Sequence, residues 1–85
     1  MSDETVKLAV EQAVGQAYQA WAAEHPSLAA VIDHVVLTQR ATESLRASDQ
    51  FRQAVAAYHR GMSETELLNR LIELAGPLIT GLLAG

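Results

Sequence analysis

The chain has 85 residues, enough for one domain over residues 1–85 and too few for two. It has no cysteine, which rules out disulfides and thiolate metal sites, and its 49% hydrophobic and 19% charged residues are the balance of a globular chain rather than a disordered one. A net charge of −4 disfavours nucleic acid as a partner; the acidic start MSDETVK does not have the layout of a secretory signal; and no apolar run approaches the ~20 residues of a membrane span, so a cytoplasmic location is expected.

Four segments carry helical periodicity, and none alternates like a strand. The first covers about residues 3–24. Val6, Val10, Ala13, Val14, Ala17, Ala20 and Trp21 recur on one face, and Asp3 and Glu4 suit the positive end of the helix dipole. On another side of the same helix Leu8, Gly15 and Ala22 recur every seven residues. They lie opposite the main stripe, where a small-residue groove beside Leu8 would let a second helix pack close.

The second helix is expected from Pro26 to Arg46 or Ala47, with Pro26 as its first residue. Its stripe reads Leu28, Val31, Ile32, Val35, Val36, Thr38, Thr42 and Leu45. Ser48 caps a third helix that buries Phe51, Ala54, Val55 and Tyr58 and ends at Gly61. Ser63 opens the fourth, with Glu66 completing a capping box, and Leu67, Leu68, Leu71, Ile72 and Ala75 follow at helical spacing. Pro77 lacks an N–H and crowds the carbonyl of Glu73, so Gly76 and Pro77 should kink or break this helix.

The fold expected is therefore all-α: a compact four-helix array with the last helix kinked at Gly76 and Pro77. Trp21, Phe51, Tyr58, Leu68 and Ile72 are the bulky members of its stripes and should share one core. From Leu74 across the kink to Leu83, the residues Leu74, Leu78, Ile79, Leu82 and Leu83 cover nearly every direction around the axis, so something must bury them. They have no lysine or arginine among them to meet anionic headgroups, which favours a core or a protein interface over a membrane surface.

The chemistry-bearing residues form no constellation. No serine sits in a G-x-S-x-G turn, and the glycines are scattered with no strand before them. His25, His34 and His59 lack the spacing that sets two ligands on one helical face, and on one continuous helix His25 and His34 point apart. No cofactor or metal is expected. The stretch AVAAYHRGMSETELLNRLIEL reads as helix, glycine turn and capped helix, and it resembles a helix-turn-helix at Ala57, Gly61, Met62 and Leu67. The portion GMSETELLNRLI is also similar to the second helix of ribbon-helix-helix repressors. That resemblance implies a dimeric DNA-binding regulator. Arg60 and Arg70 stand where the helix-turn-helix pattern prefers apolar residues, Glu64, Glu66 and Glu73 would repel phosphate, and the N-terminus does not read as the strand that ribbon-helix-helix dimers need.

The function expected is a small non-enzymatic protein–protein interaction module, an adaptor, assembly factor or inhibitor of a larger complex. It self-associates as a homodimer or docks on a protein partner. The expected contact residues are Leu74, Leu78, Ile79, Leu82 and Leu83 on the last helix, with Leu8, Gly15 and Ala22 on the first. The alternative is the helix-turn-helix-like regulator. A minor alternative is a small helical enzyme or metal-binding protein, which would need His34 and His59 to converge.

Overall fold

The computed structural model describes residues 2–84, and the side chains of residues 4–83. The described residues form five helices and no strand: α1 (Ser2–Glu24), α2 (Pro26–Ala29), α3 (His34–Ala47), α4 (Asp49–His59) and α5 (Glu64–Ala84). The all-α class is as the periodicity implies. The side chain of Asp3, and with it half of the acidic start assigned to the helix dipole, lies outside the described residues.

The helix expected between Pro26 and Ala47 is two helices. Pro26 does stand at the start of α2, but α2 is a single short turn. The chain then leaves the helix and re-enters it at Asp33, whose backbone is extended and whose carboxylate accepts from the N–H groups of Val35 (3.1 Å) and Val36 (3.4 Å). An N-cap of this kind satisfies donors that a new helix leaves orphaned. The restart rotates α3 relative to the continuous helix assumed from the sequence. Leu37, Ala41 and Leu45 become its buried side, while Leu28, Val31, Val35 and Val36 stay exposed.

The other junctions follow their sequence signals. Ser48 Oγ accepts from the Phe51 N–H at 3.1 Å and caps α4. At the end of α4, Met62 N–H donates to the Ala57 carbonyl and Gly61 N–H to that of Tyr58, at 3.1 and 3.0 Å. This is a Schellman closure, and it requires the left-handed backbone that Gly61 adopts at φ 119°. Ser63 Oγ accepts from the Glu66 N–H at 3.1 Å, which is one of the two bonds of the expected capping box.

Helix α5 is not broken at Pro77, which lies inside it. Two local features make this tolerable. Gly76 has no Cβ to collide with the proline ring, and Pro77 and Glu73 are both exposed, so the carbonyl left without a donor lies on the solvent side.

The most extensive helix–helix contact joins α1 to α5. Residues 5–12 of α1 share a recess with residues 64–68 of α5, and residues 16–24 share another with 72–80, so the two helices run in the same direction. Helix α3 runs opposite to α1, with His34 beside Tyr18 and Thr42 near Glu11. Helix α4 returns along α5. Val10, Val14, Leu45, Leu67, Leu71 and Ile79 are the largest side chains wholly enclosed. Trp21 and Phe51 belong to this core, and Tyr58, Leu68 and Ile72 pack against it half-buried. The phase of α5 thus centres one residue earlier than its bulkiest pair suggests, on Leu67, Leu71, Ala75 and Ile79.

Candidate docking surface

The residues expected to bind a partner fall into two groups. In α5, Ile79 is fully buried, and Leu74, Leu78 and Leu83 pack against the chain's own core. Only Leu82 stays open, at 37% exposure. The all-round apolar segment is therefore largely accounted for by burial within its own chain. In α1, Leu8 is 50% exposed and Ala22 packs on the core. Gly15 lines a groove between α1 and α3 with Glu11, Val14, Thr38, Gln39, Thr42 and Glu43. The helix beside Gly15 is thus α3 of the same chain, and a Cβ built at Gly15 meets nothing within 4 Å.

Periodicity alone misses the largest concentration of open aliphatic surface. Leu28, Val31, Val35 and Val36 lie within the 28–36 corner, where α2 ends and α3 begins, and Val31 is 80% exposed. Ile32, between them, turns inward against the core. Each large aliphatic side chain left in water forgoes roughly 1.5–3 kcal/mol of burial. The cap at Asp33 starts α3 so that Leu37, Ala41 and Leu45 form its buried side, which leaves Val35, about 200° around from Leu37, in the open. The signal was present in the sequence as an aspartate three residues before Val36, at N-cap spacing.

The histidines at this corner are positioned by aromatic neighbours. The His25 ring lies 5.2 Å from that of Trp21, and His34 lies 5.9 Å from Tyr18. Tyr18 and Trp21 are themselves 6.0 Å apart, so four rings line the end of α1. The break between α2 and α3 removes the single-helix geometry in which His25 and His34 were expected to diverge. Each instead packs on its own aromatic residue. Among the described residues, no three His, Asp or Glu side chains gather as metal ligands. The hydroxyls of Thr38 and Thr42 donate to carbonyls of their own helix at 2.8 Å, which ties them to the backbone.

The α4–α5 hairpin has the helix–turn–helix outline. The exposed positions of the first half of α5 are Glu64, Thr65, Glu66, Asn69, Arg70 and Glu73. One arginine against three carboxylates repels a phosphate backbone. No described helix is long and apolar enough to cross a membrane. Comparison with protein-family models, with curated proteins and with solved structures finds no match to this chain.

Proposed function

We propose that this chain is a non-enzymatic protein–protein interaction module that docks through its 28–36 corner. The carrying observation is the exposure of Leu28, Val31, Val35 and Val36 beside an otherwise well-filled core. Open aliphatic side chains concentrated in so short a stretch mark an interaction site more often than an accident of the surface. An adaptor, an assembly factor and an inhibitor all use such a face. The occupant we favour is a second copy, because an aliphatic face is complementary to itself and two-fold pairing is the commonest closed arrangement.

Sedimentation velocity on the full chain tests this against V31D/V35D. The wild type is expected to form a dimer that persists at high salt, since apolar contacts are not screened. The variant is expected to be monomeric with unchanged helical circular dichroism, because both sites are exposed. A photo-reactive residue at position 31 then reports what covers the corner. A wild-type chain that stays monomeric at millimolar concentration, and cross-links to nothing through position 31 in native extract, refutes the reading.

A further inference from the structure

Two of the six lysines and arginines gather around one apolar recess. Val6, Phe51, Val55 and Ala56 line it, and Arg46, Arg52 and His59 stand at its rim, around a volume of about 430 Å³. The Arg46 guanidinium carbon lies 6.0 Å from the centre of the Phe51 ring. Arg52 approaches Asp49 at 3.7 Å, with both side chains largely in solvent; this is the only ion pair among the described residues, and Arg46 forms none with a described carboxylate. An apolar floor under a cationic rim suits an apolar side chain flanked by carboxylates.

The chain itself displays such a group. Leu8 is half exposed and shares a shallow recess with Thr5, Gln12 and Glu64. Glu4 and Glu11 lie one helical turn before and after it, and Glu4, Glu11 and Glu64 are all exposed. Lys7, three residues after Glu4 and four before Glu11, stands on the same side of α1, so the patch holds three carboxylates against one ammonium and stays net negative. Positions 6 and 8 differ by roughly 200° around a helix, so the acidic patch and the basic recess face opposite sides of α1.

We propose that the Leu8 patch of one copy seats in the basic recess of the next. Leu8 enters over Val6, Phe51 and Val55, while Glu4, Glu11 and Glu64 meet Arg46, Arg52 and His59. Because the two surfaces are back to back, the contact cannot close as a two-fold pair. It propagates head to tail. This contact does not depend on the 28–36 corner, and it differs from the pairing proposed there in being screened by salt.

Charge reversal on the full-length chain provides the test. Sedimentation at low salt should show species larger than a dimer, and raising salt from about 0.05 M to about 0.5 M should weaken that association on the order of tenfold or more. R46E/R52E and E4R/E11R should each lose it alone. Mixed in equal amounts they should regain it, since each acidic recess then meets a basic patch and each basic recess an acidic one. Leu8→Ser in either member of the mixture should halve the available contacts, and in both should abolish them with the charges intact. V31D/V35D should retain the salt-sensitive association, so failure of the corner reading and failure of this one are distinguishable. A mixture that fails to regain association while both variants keep their helical circular dichroism overturns the proposal. So does regained association that is indifferent to Leu8→Ser.

Discussion

Replacing Ile79 with alanine separates two roles for the C-terminal part of α5. Ile79 is fully buried, and Leu82, three residues on, is 37% exposed. Truncating a buried isoleucine to alanine removes its transfer free energy and leaves a cavity, at a cost of about 2–5 kcal/mol. A domain of this size has a total stability of roughly 4–13 kcal/mol at ordinary values per residue. The substitution therefore removes a large share of it, and at about 4–8 °C per kcal/mol the Tm falls by at least about 8 °C. Leu82→Ala, at a site already about one third open to water, should cost distinctly less, about 1 kcal/mol. Urea denaturation followed by circular dichroism at 222 nm measures both, with sedimentation of the same samples as control. Equal small losses for the two variants, with a change in oligomeric state for Ile79→Ala, would refute the assignment of Ile79 to the chain's own core.

Three further substitutions probe other parts of the fold. Asp33→Ala should destabilise by about 0.5–2 kcal/mol, and faster amide exchange at Val35 and Val36 should show that the lost bonds are the cap; unchanged exchange there would contradict this. Gly15→Ala should stabilise by about 0.5–1 kcal/mol, since the added methyl finds open space in mid-helix; a lowered Tm would mean that the groove closes in solution. Phe51→Ala should cost about 3–5 kcal/mol, and a change below 1 kcal/mol would place Phe51 outside the core.

The helix junctions that carry local punctuation were legible in the sequence. Ser48, Gly61 and Ser63 each act through bonds to residues three to five positions away, so their neighbours in the chain are enough to identify them. The break between α2 and α3 was hidden. Val31, Ile32, Val35 and Val36 continue an apolar spacing across Asp33, and apolar spacing alone implies burial. Of these only Ile32 turns inward, while Val31, Val35 and Val36 face outward, and whether an apolar stripe is covered is decided by tertiary packing. Leu8 is legible in the sequence because it falls off the main stripe of α1. The basic recess did not, since Val6, Arg46, Phe51 and His59 come from three helices and meet only in the fold.

The parallel pairing of α1 with α5 also constrains how the chain reaches this fold. Contacts between its first and last helices are the most distant the sequence allows, and closing so long a loop must be offset before those contacts form. Helices α1 to α4 alone lack Leu67, Leu71, Ala75 and Ile79, the α5 share of the buried cluster that contains Val10 and Val14. During synthesis the growing polypeptide would remain loosely ordered, its alanine-rich first helix held back from a stable packing, until α5 emerges. Folding is then a late and concerted event, and slowing translation before residue 64 should prolong exposure to chaperones and proteases without producing a stable intermediate.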